Sequence, residues 1–222
     1  MMLPRFKSVF FDLDGTLADT ASDLAAAANK MLTDRNLTPV PEEQMRHLAS
    51  SGARGMIFKA FGMAPEDPLF EQYREEFLSN YEQAIHVHTT LFPGMAELLQ
   101  QLDTHQVPWG IVTNKHHRFT LPLVKNLGLF DRTPSIVSGD TTPHAKPHPA
   151  PILHAASMIP ISTEGGVYIG DDLRDIQAGK AAGMKTIAAA YGYCGNHEPP
   201  HAWNADFIVH DPLELVTILF SE

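Results

Sequence analysis

The sequence predicts an α/β fold, in which a doubly wound parallel sheet carries an inserted helical segment. Short apolar runs that end in polar side chains alternate with helical stretches, as expected for parallel strands buried on both faces. The alternation is interrupted once, after the first strand, by apolar helical spacing that continues to about residue 85. These observations favour one large core with an insertion.

The first predicted strand is Val9–Phe11, and two carboxylates, Asp12 and Asp14, follow it. Ligands of open parallel sheets lie beyond the carboxyl ends of the strands, so this pair marks one side of a site. If the strand continues, both carboxylates share a side; if a turn begins at Asp14, its backbone carbonyl faces inward instead. Clustered carboxylates require a cation, a proton or a cationic partner, and oxygen ligands suit Mg²⁺. An acidic turn is the ordinary alternative for an isolated Asp-x-Asp.

The helical stretch that follows predicts a cap domain inserted between the first and second strands of the sheet. We expect an α/β core of residues 1–17 and 90–222 and a helical cap of residues 18–89. The predicted helices of the cap cover residues 22–32, 42–48, 55–61 and 68–85. Within the cap, Arg54 lies between two glycines ahead of an apolar helix, where it can contact an anionic substrate or remain a solvated surface residue.

The second strand of the core is predicted at 107–112 and ends at Thr113 and Asn114. A hydroxyl and an amide at a strand end suit phosphate oxygens, although ordinary helix capping explains the same residues. Further strands are predicted at 136–139, 167–170 and 184–190. An edge strand is predicted at 207–209, before a short terminal helix.

Two later stretches carry charges suited to the same edge of the sheet. Lys146 precedes a proline that restricts it to an extended backbone, and a fixed cation there can offset clustered carboxylates; a solvated lysine is the alternative. The strand at 167–170 ends in Asp171 and Asp172, and Asp175 lies one helical turn later. Helix capping explains Asp172 or Asp175 separately. The whole run instead suggests a metal shell begun by Asp12.

Composition narrows the functional class. The chain has 222 residues, of which 44% are hydrophobic, and a formal net charge of −10, which argues against nucleic acid and anionic membranes as partners. No apolar run is long enough for a membrane span and the start lacks a signal peptide, so we expect a cytoplasmic protein, either a monomer or a homodimer. The single cysteine allows no internal disulfide, and the 12 histidines lack the spacing of a zinc site.

The pattern Asp-x-Asp-Gly-Thr at 12–16, followed in order by Thr113, Lys146-Pro-x-Pro and Gly-Asp-Asp-x-x-Asp at 170–175, resembles the motifs of the haloacid dehalogenase superfamily. The resemblance implies a Rossmann-like core with a small helical cap. It also implies a phosphatase with an Mg²⁺ cofactor that acts on a small phosphorylated metabolite. Dehalogenation is disfavoured because Asp14 supplies the acid that a phosphate ester's leaving group needs.

The resemblance also implies roles for individual residues. Asp12 would be the nucleophile, Asp14 the general acid and base, and Lys146 the third catalytic residue. Asp12, Asp14 and Asp171 would bind Mg²⁺, with Asp172 and Asp175 in its outer shell. The predicted substrate-binding residues are Gly15, Thr16, Arg54, Thr113 and Asn114.

The substrate is the harder question. The layout resembles phosphoglycolate phosphatases, whereas the stretches 52–56, 87–95 and 203–206 together more closely resemble bacterial N-acetylmuramic acid 6-phosphate phosphatases of cell-wall recycling. Both substrates carry a carboxylate, so the volume of the pocket under the cap would distinguish them better than one arginine. An alternative of another class is a catalytically silent protein that binds a phosphorylated ligand or a partner protein.

Overall fold

A computed structural model describes residues 3–159, 161–195 and 198–221. The strands in these ranges are β1 (Leu3–Pro4), β2 (Val9–Phe11), β3 (Ala18–Asp19), β4 (Thr90–Leu91), β5 (Trp109–Val112), β6 (Ile136–Val137), β7 (Val167–Gly170), β8 (Lys185–Ala189), β9 (Phe207–Val209) and β10 (Phe220–Ser221). The α-helices are α1 (Ala21–Asp34), α2 (Gly52–Phe61), α3 (Phe70–Gln83), α4 (Met95–Thr104), α5 (His117–Asn126), α6 (Ala150–Met158), α7 (Leu173–Ala181) and α8 (Glu214–Leu219). Short 3₁₀ helices cover Glu42–Gln44, Arg46–Ser51 and Pro200–Ala202.

Six of the strands form a parallel sheet in the order β6-β5-β2-β7-β8-β9. The first strand of the core, β2, is therefore central, with Phe10 opposite Gly110 on β5 and Tyr168 on β7. The strand predicted at 207–209 is present at one edge, as expected. This arrangement confirms the predicted doubly wound, Rossmann-like α/β sheet.

The sheet is buried on both faces because successive side chains of each strand point to opposite sides. Val9 and Phe11 pack in a hydrophobic core with residues of α4, α5 and α8, whereas Phe10 packs in a second core with residues of α6 and α7. Tyr168 and Val112 belong to the second core as well. The two cores explain why the strands are almost continuously apolar in sequence.

The helical insertion, residues 20–89, leaves and rejoins the core through two very short strands. β3 and β4 pair antiparallel, with Ala18 opposite Leu91 and Asp19 opposite Thr90. The helix predicted over 42–48 is present as two short 3₁₀ helices instead of one continuous helix. Glu42–Gln44 buries no residue, so no apolar face stabilises a longer helix there.

The division into a core domain of residues 1–17 and 90–222 and a cap domain of 18–89 stays a prediction, and its outer limits, residues 1 and 222, lie outside the described residues. Within the described ranges, none of the helices combines the length and the apolar character needed to cross a lipid bilayer.

A buried carboxylate ties the end of the insertion to its first helix. Asp23 on α1 is 2% exposed, and its oxygens accept hydrogen bonds from the backbone N–H groups of Val87, His88 and Thr89 at 2.9 to 3.1 Å. The Thr89 hydroxyl donates to the same carboxylate at 2.7 Å. Asp23 therefore fixes the path by which the chain returns to the sheet.

We expect Asp23→Ala to lower the free energy of unfolding by about 3 kcal/mol, because the substitution leaves several backbone donors without a partner. Urea unfolding measures the loss. Asp34→Ala is the control, since Asp34 pairs with the exposed Lys30 and its removal should cost less than about 1 kcal/mol. Equal losses in the two variants would show that Asp23 does not anchor the returning segment.

Candidate active site

The carboxyl ends of three adjacent parallel strands bring polar residues together at one edge of the sheet. Asp12 follows β2, Thr113 follows β5 and Asp171 follows β7. Their exposed fractions are 9%, 3% and 1%, so all three are withdrawn from bulk water. The sheet order alone thus places a hydroxyl and a carboxylate on either side of Asp12.

Asp12 is held through one of its two carboxylate oxygens. Oδ1 lies 2.9 Å from Nζ of Lys146 and accepts the backbone N–H of Leu13 at 2.7 Å. The other oxygen, Oδ2, accepts no hydrogen bond from the residues that the structure describes. The carboxylate is therefore fixed in orientation and keeps one oxygen for other chemistry.

Lys146 is a buried cation with a complete set of acceptors. Besides Asp12, its Nζ donates to the backbone oxygen of Val112 at 2.9 Å, to the hydroxyl of Tyr168 at 3.0 Å and to Oδ1 of Asp175 at 2.7 Å. Burial alone would lower the pKa of Lys146, but attraction by Asp12 and Asp175 outweighs it and holds that pKa well above the usual value. Lys146 therefore stays charged.

Asn114 positions the backbone of Lys146. The Asn114 amide donates to the Lys146 carbonyl oxygen, and the amide oxygen accepts the Lys146 N–H, both at 2.9 Å. Gly139 packs against Asn114 so closely that an added Cβ would lie 2.2 Å from the Asn114 carbonyl oxygen. The Lys146–Pro147 peptide bond is cis.

Three carboxylates gather at the same place. Asp12, Asp171 and Asp175 each offer an oxygen, and these oxygens lie within 4.8 Å of one another. Asp171 Oδ2 accepts the backbone N–H of Tyr193 at 2.8 Å, and its Oδ1 lies 3.3 Å from the Thr16 hydroxyl. Because Lys146 pairs with Asp12 and Asp175, three ionised carboxylates would leave an excess of negative charge in this buried site.

The excess of negative charge contributes to raised pKa values in this cluster. Burial, followed by repulsion from Asp12, raises the pKa of Asp171 well above its usual value. Burial also raises the pKa of Asp175 to about 7, although Lys146 opposes the rise. A buried, oxygen-only set with surplus negative charge fits a divalent cation such as Mg²⁺. Asp12, Asp171 and Asp175 could therefore hold the predicted cofactor.

The start of α7 shapes one wall of the site. Asp172 and Asp175 form a capping box: Oδ1 of Asp172 accepts the Arg174 N–H at 2.9 Å, and Oδ2 of Asp175 accepts the Asp172 N–H at 3.0 Å. The Arg174 guanidinium also binds the Asp172 carboxylate and donates to the backbone oxygen of Ser50 at 2.9 Å. Arg174 thus links the core directly to the helical insertion.

Asp14 points to different partners. Its Oδ1 accepts from Nζ of Lys115 at 2.7 Å and from the Thr20 hydroxyl at 2.6 Å. Nζ of Lys115 also lies 4.7 Å from the ring centroid of Tyr81 on α3. Burial alone would lower the pKa of Lys115, but the charge of Asp14 outweighs it and raises that pKa above the usual value, so Lys115 stays charged.

Two adjoining cavities open onto these groups. The first, of about 210 Å³, is bordered by Asp12, Asp14, Thr113, Asn114, Lys115, Lys146, Asp172, Arg174 and Asp175 and by Ser50, Ser51 and Gly52 of the insertion. The second, of about 580 Å³, shares Leu24, Ser51, Gly52, Asn114 and Lys115 with the first. Its walls include the rings of Phe70, Phe77, Tyr81 and Phe119 and the cations Arg54, Arg74 and Arg118.

The structure separates the predicted substrate-binding residues into three groups. Thr113 and Asn114 border the first cavity, and Arg54 borders the second. Gly15 and Thr16 contact Asp171 instead: a Cβ added to Gly15 would lie 2.2 Å from Oδ2 of Asp171, and the Thr16 hydroxyl donates to its Oδ1. A role for Gly15 and Thr16 in binding substrate stays a prediction.

The sequence of this chain matches the family model of haloacid dehalogenase-like hydrolases over residues 9–189. The chain belongs to that family. This hydrolase is 42% identical over 217 residues to an N-acetylmuramic acid 6-phosphate phosphatase of Pseudomonas putida, covering 98% of this chain and 97% of the relative. It is 40% identical over 215 residues to a phosphoglycolate phosphatase of Xanthomonas campestris pv. campestris, covering 97% and 96% of the two chains.

A solved structure supports the same assignment. The crystal structure of a predicted phosphoglycolate phosphatase from Haemophilus somnus superposes with a TM-score of 0.83 at 26% identity, over 97% of this chain and 99% of the other. The predicted family and the predicted phosphatase class are confirmed by these matches.

Two residues of this haloacid dehalogenase-like hydrolase were missed as candidates from the sequence. Lys115 borders both cavities and binds Asp14, and its position directly after Thr113 and Asn114 at a strand end was an available signal. Arg174 lies inside the run of acids at 171–175, where a single cation among carboxylates was a comparable signal. Both residues contact the helical insertion as well as the core.

The acid cluster predicts an unusual pH dependence of stability when divalent ions are removed. The native carboxyls of Asp171 and Asp175 have raised pKa values, so they hold protons that the unfolded chain releases near about pH 4. Their contribution to stability is complete below that pH and is lost as pH rises, through about 7 in the case of Asp175. In EDTA, the Tm should fall between about pH 5 and pH 8, and Mg²⁺ should raise the Tm more at the higher pH.

Thermal unfolding of wild type and Asp171→Asn, with EDTA or Mg²⁺ at each pH, checks this expectation. Asp171→Asn removes one titrating carboxyl, so its Tm should depend less on pH in EDTA and respond less to Mg²⁺. A Tm in EDTA that rises steadily over this range would contradict the proton affinities assigned to the cluster.

Proposed function

We propose that this hydrolase cleaves phosphomonoesters with the help of Mg²⁺, through a phosphoryl group carried transiently on Asp12. The observation that carries the proposal is the state of Asp12: a carboxylate held through Oδ1 by Lys146 and Leu13, with Oδ2 left over, at a cavity that Asp14 also borders. An oriented, ionised carboxylate is a suitable nucleophile for phosphorus, and a second carboxyl is needed to move protons.

The chemistry divides between the two aspartates. An oxygen of Asp12 forms a bond to phosphorus while the bond from phosphorus to the ester oxygen breaks, and Asp14 gives its proton to that departing oxygen. A water molecule then attacks the phosphorus and gives a proton to Asp14, while the bond from phosphorus to the Asp12 oxygen breaks. Inorganic phosphate leaves, and Asp12 is again a free carboxylate. For the first step Asp14 must carry the proton, so its contact with Lys115 has to change when substrate arrives.

The other residues bind and orient the phosphate. Lys146 holds Asp12 and supplies one positive charge beside the transferring group, and the Thr113 hydroxyl is available to a phosphate oxygen at the same cavity. Asp12, Asp171 and Asp175, with the predicted backbone carbonyl of Asp14, would hold Mg²⁺. When bound, the ion would neutralise charge on the phosphate oxygens.

Within this function, we favour N-acetylmuramic acid 6-phosphate as the substrate. The relative from Pseudomonas putida supports this choice, and so does the second cavity of about 580 Å³ beside the phosphate cavity. An amino sugar with a lactyl group suits such a space, in which aromatic rings and arginines are mixed. A two-carbon glycolate would leave most of it unfilled.

Phosphoglycolate is the second candidate, because relatives at 40% identity carry that activity in their names. The alternative of a silent ligand-binding protein is less well supported, since binding alone needs neither a nucleophile nor an acid. A cytoplasmic location, without nucleic-acid or membrane partners, belongs to the same proposal and agrees with the formal charge of −10.

The covalent step is tested with para-nitrophenyl phosphate, whose leaving group departs without a proton. Asp12→Asn should lower kcat by at least about a thousandfold, because the amide cannot accept the phosphoryl group. Asp14→Asn should still transfer the phosphoryl group but release it slowly, so mass spectrometry of the quenched protein should detect phosphorylated Asp12. Asp34→Asn is the matched control on the exposed surface. Activity that survives in Asp12→Asn would refute the covalent step.

The substrate is tested by comparing kcat/KM for N-acetylmuramic acid 6-phosphate, N-acetylglucosamine 6-phosphate and phosphoglycolate. We expect the first to be preferred. Arg54→Ala should lower its kcat/KM about tenfold or more, because an ion-paired hydrogen bond to the lactyl carboxylate is lost.

The second sugar lacks the lactyl group, so its kcat/KM should change little in Arg54→Ala. Arg132→Ala is the control, since Arg132 pairs with Asp103 away from both cavities. A preference for phosphoglycolate, or equal loss for both sugars, would reject this assignment of the substrate and of Arg54.

A further inference from the structure

The turn formed by Tyr191, Gly192 and Tyr193 lies against the acid cluster. It follows β8, the neighbour of β7 in the sheet, so it emerges at the same edge as Asp171. Neither the four sequence motifs nor the proposed chemistry uses this turn. Its contacts nevertheless reach three parts of the site.

Gly192 is the point of closest approach. A Cβ added to Gly192 would lie 2.3 Å from the Gly15 carbonyl oxygen and 2.4 Å from Cβ of Asp171. Both distances are far shorter than a non-bonded contact allows. Only glycine therefore lets the turn pack between the loop after Asp12 and the Asp171 side chain.

The two tyrosines fix the turn on either side of this glycine. Tyr193 donates its backbone N–H to Oδ2 of Asp171 at 2.8 Å. Its buried hydroxyl accepts the N–H groups of Thr20 and Ala21 at 2.7 and 3.0 Å and donates to Asp19 at 3.0 Å. On the other side, the Tyr191 hydroxyl donates to the Thr16 carbonyl oxygen at 2.9 Å. The side-chain hydroxyl of Thr16 is itself a donor to Asp171.

We propose that the turn at 191–193 is a positioning element that sets the orientation of Asp171 for a divalent cation. The N–H of Tyr193 holds one oxygen of Asp171, and Thr16, anchored by Tyr191, holds the other. Carboxylates that bind metal ions depend on such hydrogen bonds for their orientation, and losing them typically weakens metal affinity about 10–100-fold. This inference rests on the proposed function, because it concerns the same cation site.

The direct test is the Kd for Mg²⁺, measured by titration calorimetry on protein stripped of metal. The measurement is made at about pH 8 because the carboxylate cluster binds fewer protons there than at lower pH. Gly192→Ala should raise this Kd at least about tenfold by displacing Asp171. Tyr191→Phe removes one hydrogen bond and should raise it about threefold. For both variants, kcat on para-nitrophenyl phosphate should recover towards wild type at saturating Mg²⁺, which a general loss of folding would not allow.

The matched control is Gly166→Ala. Gly166 is equally crowded, because an added Cβ would lie 2.5 Å from Cε of Met184 and 2.5 Å from Oγ of Ser8, but it precedes β7 at the opposite end of that strand from Asp171. This variant should lower the Tm and leave the Kd for Mg²⁺ within about twofold of wild type.

The proposal is overturned if folded Gly192→Ala and Tyr191→Phe bind Mg²⁺ as tightly as wild type, or if Gly166→Ala weakens binding equally. Should Gly192→Ala fail to fold, Tyr191→Phe decides the matter by the same measurement. Wild-type protein that binds no Mg²⁺ would overturn the proposed function together with this inference. Wild-type binding with unchanged variants would overturn only the role of the turn.

Discussion

The balance of charge around Lys146 is the constraint on which the rest of the site depends. One buried ammonium group faces Asp12 and Asp175 directly, and Asp171 joins them within 4.8 Å. Removing like charges from water is costly unless they are paired, so this cluster is stable only while each carboxylate is neutralised by the lysine, by a proton or by another cation. Burial and repulsion between these carboxylates raise the pKa values of Asp171 and Asp175. The same surplus of negative charge is the feature that would favour a small divalent ion over a neutral ligand at this cluster.

The fold supplies this cluster through close approach of backbones as much as through side chains. Parallel pairing of β5, β2 and β7 places Asp12, Thr113 and Asp171 at one edge of the sheet. The loops that follow these strands can pack closely only where they carry no side chain at the point of contact. A Cβ on Gly170 would lie 2.3 Å from Cβ of Asp175, and one on Gly15 would overlap Asp171. These glycines leave room for the loops that carry the acidic residues to pack against one another.

Much of this arrangement could be predicted from the sequence, because strand ends are local features. Asp12, Thr113 and Asp171 each follow an apolar run, and all three lie at the predicted edge. The contacts of Lys115, Arg174 and Tyr193 could not be predicted in the same way, since their partners Asp14, Ser50 and Thr20 are 101, 124 and 173 residues distant in the chain. The helix predicted at 42–48 is divided into two 3₁₀ helices for a reason that composition does not show: Glu42–Gln44 buries no residue, so no apolar face supports a longer helix. The strands β3 and β4 are too short to show any alternation.

An acidic protein that binds a phosphate ester requires a local reversal of charge, and the structure limits how that reversal can arise. The cations around the first cavity are Lys115, Lys146 and Arg174, and each is already paired with a carboxylate of the same cavity. Four carboxylates, Asp12, Asp14, Asp172 and Asp175, border the cavity against these three cations, and Asp171 lies beside them. The side chains alone therefore leave the cavity acidic when all are ionised, which repels a phosphate dianion. A divalent cation at Asp12, Asp171 and Asp175 would cancel that excess of negative charge, and protonation of Asp14 in its proposed acid role would leave the cavity positive. If the proposed cation and the proposed acid role of Asp14 both hold, binding of an anionic substrate depends on them, and affinity for substrate and affinity for the ion should rise together.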